Sequence, residues 1–317
     1  METIAILETT APWVMPVGVF ILGACIGSFL NVCIVRIPAG ESLWWPPSHA
    51  ADGRRLSWWE NVPILAWFYL RGRDRVTGEP YSFRYPFVEL LTAVLFGVCW
   101  WMHSPLVALA GMILLSLLIV GSFIDLDHMI LPDGVTIVGM IVGVLLSFWI
   151  PEMHLPKGQS PYLSDGFASG VISMISVLIG AGLVFWVGEL GEVAFRKPAM
   201  GLGDVKLVGC IGAFCGWQGA VFSLFGGAVI GCVILLPLLL LMRRSQGKPG
   251  LRQNEDLQKE TAGGNSGETT DATLAQGLGM EVPFGPMLAL GGAVYFLGAD
   301  AWVDPYFAML AEMVFGR

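Results

Sequence analysis

The chain has 317 residues, of which 55% are hydrophobic and 13% charged, with a formal net charge of −8. An ordinary soluble domain carries about 25% charged residues. The composition therefore argues against two soluble domains and for one polytopic membrane domain, with apolar runs long enough to cross the bilayer as helices. Net acidity and the lack of a dense basic block speak against a nucleic-acid partner.

In chain order, the first apolar run covers 12–35. No Lys or Arg precedes it, so it lacks the positive n-region of a cleaved signal and reads as a retained anchor with its N-terminus outside. Residues 36–85 follow as a loop subdomain rich in Trp, Arg and Pro. Further spans are predicted at 86–102, 105–124, 134–150, 166–188, 205–218, 220–242 and 284–299. That makes about eight helices, the 205–218 span being short, Gly-rich and tilted or embedded in the bundle. Residues 243–282 are too polar to bury a core and are expected to be disordered, and 283–317 supply the last span and a tail. The six cysteines lie in apolar runs without a CxxC pair and read as small buried hydrophobes, not a zinc or disulfide framework.

The cations set a direction. Segments 36–84, 189–206 and 243–283 hold seven, three and five of the 17 Lys and Arg, and eight threaded spans put all three segments on one side. Basic loops stay in the cytoplasm, so both termini are expected outside.

Two acid-bearing turns fall on that cytosolic side. One, "SFIDLDHMILPD" at 122–133, carries Asp125, Asp127, His128 and Asp133. The other, "AMGLGDVKLVG" at 199–209, carries Asp204 and Lys206 behind Gly201 and Gly203. Taken singly, each acid could be a helix cap or a solvated loop residue, and His128 an interfacial group. Taken together, two carboxylates sharing a water can hydrolyse a peptide bond, one as base and one as acid, with one proton held between them. The glycines would let an extended peptide approach the turn, with positive φ available. Helix ends would make Asp204, at a positive end, the ionised base and the acid of the first turn, at a negative end, the protonated partner. Lys206 would anchor its turn to headgroups or balance its charge. The residues alone do not choose between Asp125 and Asp127.

Five ordered motifs add to this: "GSFLNVCIVRIP" at 27–38, "SWWENVPILAWFYLRGRDR" at 57–75 with "RYPFVELLTA" at 84–93, "FIDLDHMILPD" at 123–133, "GLGDVKL" at 201–207 and "PFGPMLALG" at 283–291. Together they resemble the type IV prepilin peptidases, bacterial inner-membrane aspartic proteases of the GxGD type that serve type IV pili and type II secretion. The resemblance implies Asp125 and Asp204 as the catalytic pair. It implies cleavage of prepilin or pseudopilin leaders after a Gly on the cytosolic side, within a peptidase core at 86–242. It also implies S-adenosylmethionine-dependent methylation of the new N-terminus, associated with the 36–85 loop, where Gly72 and Glu60 stand, and with Glu89 just beyond. Glu60 and Glu89 could equally be salt-bridge partners of nearby arginines.

The chain departs from the family where many members carry two CxxC pairs. His49 and Asp52 stand in place of the first pair, Asp74 and Thr77 in place of the second. That set suits zinc poorly, so a metal-free loop is expected, packed by Trp44, Trp45, Trp58, Trp59 and Trp67 unless these line the bilayer interface. His103 and His154 are expected on the outer side, away from the acids. The rival readings are a peptidase without methyl transfer, a proton- or cation-coupled transporter, and a non-catalytic assembly factor.

Overall fold

The computed structural model describes residues 11, 13–45, 54, 57–155, 162–196, 200–245 and 283–315. His49, Asp52 and the 246–282 segment lie outside the described residues. Nine α-helices are described: α1 Val14–Ala39, α2 Leu65–Tyr69, α3 Arg84–Met102, α4 Pro105–His128, α5 Asp133–Trp149, α6 Tyr162–Phe195, α7 Leu202–Ser245, α8 Gly285–Val294 and α9 Asp300–Phe315. Among the described residues the only β pairing is an isolated bridge between Arg73 and Pro80.

Among the described residues, six helical stretches are long and apolar enough to cross a membrane: α1, α3, α4, most of α6, Leu202–Val233 of α7 and Gly285–Leu310. The difference from the expected eight has two causes. Helix α5 is apolar but has only 17 residues. Helix α7 breaks at Gly216, whose φ of 75° and ψ of 176° are non-helical. A residue with a Cβ rarely adopts that φ, whereas glycine does so freely.

The break is a reversal. A methyl on Gly180 would lie 2.8 Å from Ala220 Cβ and 3.1 Å from Val208 O. Twelve residues of straight helix would hold those two atoms about 18 Å apart. The expected short spans at 205–218 and 220–242 are thus the two arms of one hairpin. The predicted embedding also holds, because 78% of the most apolar window in α7 is buried, the highest share among the six stretches.

Helix α1 packs on α3 through Gly23 and Gly27. A methyl on either would lie 2.7 Å from a backbone atom of α3, the Cα of Ala93 or of Glu89. This GxxxG spacing brings two backbones together where side chains would hold them apart. Helix α4 runs through the centre, burying Leu114, Leu115, Leu118 and Ile124.

Two expectations are corrected. Helix α6 begins at Tyr162 and runs to Phe195, well beyond 166–188 at both ends; at 34 residues it is about 50 Å long and outreaches the hydrocarbon core. Residues 300–315 form a helix, α9, instead of a tail. The chain turns at Gly298 (φ 135°), and Phe307 then stacks edge-on against Trp217 at 5.0 Å.

The helices alternate between two ends. One end, here the loop end, gathers the 57–83 loop, the starts of α3, α5, α7 and α8, and the close of α4. The far end holds Gly216, residues 151–155 and α9.

Candidate active site

Helix α4 closes one residue after His128, where Met129 takes a left-handed φ of 54° and donates its N–H to Asp125 O at 2.8 Å. Asp125 therefore sits in the last turn, and its side chain is buried. Its Oδ2 accepts the N–H of Gly285 at 3.0 Å. Gly285 is the first residue of α8, and that N–H is one of the donors a helix start leaves without an internal partner. Asp125 thus closes one helix and caps another. A methyl on Gly285 would lie 2.6 Å from Asp125 Oδ2, so only glycine allows the approach.

Asp204 lies in the first turn of α7, half-buried, its N–H bonded to Gly201 O at 3.1 Å. The helix starts at Leu202, three residues before the expected Val205. The Asp125 carboxyl is within electrostatic reach of Asp204. Leu131 connects the two turns. A methyl on Gly203 would lie 2.9 Å from Leu131 Cβ, and one on Gly285 would lie 3.3 Å from Leu131 Cδ1. Gly203 therefore makes room for Leu131, and neither Gly201 nor Gly203 takes positive φ, contrary to expectation. Sequence reasoning missed Leu131 and Gly285, although both lie inside motifs it had quoted.

The neighbouring polar groups bind these turns to other helices. Asp127 pairs with Arg84 at the start of α3. Lys206 pairs with Asp133 at the start of α5, not with Asp204. His128 is exposed. His103 and His154 lie at the far end, as expected: His103 Nε2 bonds Phe296 O at 2.7 Å, and His154 Nε2 lies 3.1 Å from Ser147 Oγ and 3.2 Å from Ala213 O. Burial holds His154 down to about 4.

The loop subdomain is organised by charge. Glu60 lies in a one-turn 3-10 helix, Trp58–Asn61, where its carboxyl accepts the Ser57 N–H at 2.7 Å. Arg54 grips Glu60 with two nitrogens, at 2.8 and 3.2 Å, and reaches Asp74 Oδ2 at 3.0 Å. Asp74 also accepts the N–H groups of Val76 (2.7 Å) and Thr77 (2.9 Å) and the Tyr81 hydroxyl (3.1 Å). The Thr77 and Val76 amides hold Asp74 well below the usual carboxylate range, and the Arg54 guanidinium lowers Glu60. Burial, with Asp74 alongside, pushes the Tyr81 phenol up to about 12. Among the described residues no group of three His, Cys, Asp or Glu is placed to hold a metal. Asp74, aligned with a cysteine position, is occupied by an arginine and two amides instead. Trp67 packs over buried Gly72, where a methyl would lie 2.8 Å from the indole. Trp59 packs edge-on to Tyr69 and lies under Arg75, while Trp44 and Trp45 are exposed and fit the interfacial alternative.

A cavity of about 300 Å³ opens at the loop end between α1, α3 and the loop, with Asn31, Glu60, Trp67, Tyr81, Tyr85 and Glu89 in its lining. Glu89 is buried, and its Oε2 accepts the Ile64 N–H at 2.6 Å rather than an arginine. Ile64 has φ 63° and ψ −55°, the centre of a γ-turn closed by Leu65 N–H to Pro63 O at 2.6 Å. That conformation is strained for a β-branched residue. Asn31, 3% exposed, donates through Nδ2 to Tyr85 O at 3.1 Å, and its Oδ1 is a buried acceptor with no donor among the described residues.

Comparison with known families matches residues 21–103 to the bacterial peptidase A24 N-terminal domain and residues 112–236 to the type IV leader peptidase family. Curated relatives named prepilin leader peptidase/N-methyltransferase include one from Myxococcus xanthus, 38% identical over 78% of this chain and 68% of its own. Others are from Xanthomonas campestris (31%, over 90% and 92%) and Klebsiella pneumoniae (36%, over 69% and 94%). No solved structure matches the chain.

Proposed function

The chain belongs to the type IV leader peptidase family, and from that premise we propose that Asp125 and Asp204 are its catalytic pair. It is a multi-pass membrane peptidase. Its substrates in this reading are prepilins or pseudopilins, cut after a glycine at the end of a short leader. The cationic segments gather at the end that carries the acids, which supports a cytosolic site and periplasmic termini in a bacterial inner membrane.

The chemistry follows from the pair. One carboxylate removes a proton from a shared water, whose oxygen bonds to the scissile carbonyl carbon. The partner's proton supports the carbonyl oxygen and then passes to the leaving amine as the C–N bond breaks. Two such groups side by side retain one proton between them. The Gly285 amide keeps Asp125 Oδ2 an acceptor, and the α8 start offsets the negative end of α4. The helix-end division into a fixed base and a fixed acid therefore gives way to a pair that shares its proton. The Asp127–Arg84 and Asp133–Lys206 pairs hold the two turns in register, Gly203 admits Leu131, Gly201 leaves the approach to Asp204 open, and His128 stays outside the chemistry.

The relatives' names pair peptidase with N-methyltransferase, and we extend that second activity to this chain. S-adenosylmethionine, when bound, would supply the electrophilic methyl for the amine freed by cleavage. The loop cavity fits a small cationic group, because among the described residues it holds a buried acceptor without a donor and an acid, Glu89, without a cation. Glu60 serves Arg54 and Gly72 seats Trp67, so both hold the loop's shape, while Glu89 faces the cavity. We assign 86–242 to the peptidase core and 36–85 to the methyl-transfer loop.

The observation that carries the peptidase assignment is the convergence of Asp125, Asp204 and the α8 start around Leu131. The chain is co-expressed with a prepilin-like substrate and the product is weighed. Leader loss in the wild type, abolished in both Asp125→Ala and Asp204→Ala at equal membrane levels, is the expected result; full cleavage by either variant refutes the pair. The mass of one added methyl group reports the second activity.

A further inference from the structure

The loop-end cavity has a donor–acceptor balance that selects its ligand. Asn31 Nδ2 faces the Tyr85 carbonyl, which can only accept. The amide orientation is thereby fixed, and Oδ1 is the atom left over. Glu60 is occupied by Arg54 and the Ser57 amide. Glu89 receives the Ile64 N–H and, among the described residues, no cation. The two acceptors whose capacity is unfilled among the described residues are therefore Asn31 Oδ1, itself buried, and the Glu89 carboxyl, on α1 and α3 where Gly27 brings those backbones into contact. An anion or a neutral acceptor gains nothing from them. A primary ammonium, with three donors and no acceptor, satisfies both.

Trp67, Tyr81 and Tyr85 give the cavity an aromatic wall, and Arg36 and aliphatic side chains such as Val32 and Val62 complete the lining. Flat rings suit a planar heterocycle and attract positive charge to their faces. The volume of about 300 Å³ lies at the lower end for small-molecule sites. Helix α3 also joins the cavity to the acids. Tyr85 and Glu89 line the cavity, Arg84 pairs with Asp127, and the Phe87 ring packs on Phe123 at 6.3 Å, two residues before Asp125.

We propose that this cavity is the S-adenosylmethionine site, with Asn31 Oδ1 and the Glu89 carboxyl taking the α-ammonium and the Trp67–Tyr81–Tyr85 wall taking the adenosyl group. The inference rests on the methyl-transfer reading above. The freed α-ammonium of the cleaved peptide has the same donor chemistry, so the test must separate the two.

The full chain is purified in lipid nanodiscs, and radiolabelled S-adenosylmethionine is measured by equilibrium dialysis. Asn31→Leu and Glu89→Gln each weaken binding tenfold or more, while Asn31→Asp, which keeps an acceptor at the same place, retains it. 5′-Methylthioadenosine, which lacks the ammonium, binds more weakly and equally well to wild type and Asn31→Leu, a pattern that a collapsed cavity would not give. A peptide with a free N-terminal Phe does not displace the label. Unchanged label binding in both Asn31→Leu and Glu89→Gln overturns the site. Displacement by the free peptide but not by its N-acetyl form reassigns the cavity to the acceptor amine and also overturns it. A wild-type chain that cleaves leaders yet binds no label overturns the methyl-transfer reading itself.

Discussion

The acids of the membrane site and the acids of the loop are held in opposite ways. Glu60 and Asp74 are buried against Arg54, backbone amides and a tyrosine hydroxyl, so their charge is fully met. Asp125 has one amide from Gly285, and among the described residues neither it nor Asp204 pairs with a cation. A carboxylate surrounded by donors is fixed as an anion and serves as a strut. In the proposed reading, two carboxylates short of counter-charge share a proton, and a shared proton is what hydrolysis needs. Burial alone does not separate a structural acid from a reactive one; the supply of counter-charge does.

The most severe way to break this contrast is to neutralise one member of the membrane pair. Asp125→Asn or Asp204→Asn should lower leader cleavage by roughly a thousandfold or more, read by mass against unchanged membrane levels. The same conservative change in the loop, Asp74→Asn, should leave cleavage within about fivefold of wild type, because Asp74 meets no reacting atom.

Gly285→Ala probes the amide that Asp125 accepts. The new methyl meets Asp125 Oδ2 at 2.6 Å and must push the acid or the α8 start aside. A shift of that kind costs on the order of a hundredfold in rate. Cleavage at the wild-type rate would show that the α8 start does not set the position of Asp125.

Arg54→Met removes the cation from the loop cluster and leaves Glu60 and Asp74 facing each other. Limited proteolysis should then cut within 57–81 faster than in wild type, with methylation reduced more than cleavage. The pH response has a definite sign. Glu60 and Asp74 both have folded pKa values below their unfolded ones, so the unfolded loop takes up protons first as pH falls. Their stabilisation is complete above about pH 4 to 4.5 and is lost progressively below it. Protease resistance that stays flat from pH 7 to 5 and falls below 4 is the expected profile, and the fall should be shallower in Arg54→Met, where Asp74 keeps its two amides but Glu60 has lost its guanidinium.

The smallest effect is expected at Lys206. Its pair with Asp133 is partly exposed, and such pairs contribute about 0–1 kcal/mol. Lys206→Ala should therefore change cleavage by less than about fivefold, and a larger loss would promote Lys206 from tether to participant.

Much of the acid site was legible because its signals are local. A polar turn closing an apolar run at 122–133 and another opening one at 199–209 each report a helix end at the membrane boundary. The hairpin of α7 was legible too, since glycines and a short span announced it, and so was the far-end position of His103 and His154. The Gly23–Gly27 spacing carried a readable packing signal that went unused. The Gly285 amide and the role of Leu131 were not legible: a backbone N–H has no residue identity, and one leucine among many has no mark until three segments close around it. The α9 helix was hidden behind Gly298, where composition cannot say whether a turn ends a helix or starts another.

The sequence by itself determined that this chain crosses the membrane many times, which end is cationic, and which turns carry the acids, because hydropathy, charge and glycine spacing act over a few residues. Only the tertiary structure decided how each acid is balanced. That Asp125 caps α8, that Arg54 bridges Glu60 and Asp74, and that Asn31 keeps an unpaired acceptor in the cavity that Glu89 also lines all depend on groups distant in sequence. A charge is stabilised by whatever lies within a few ångströms of it, and folding alone chooses those neighbours.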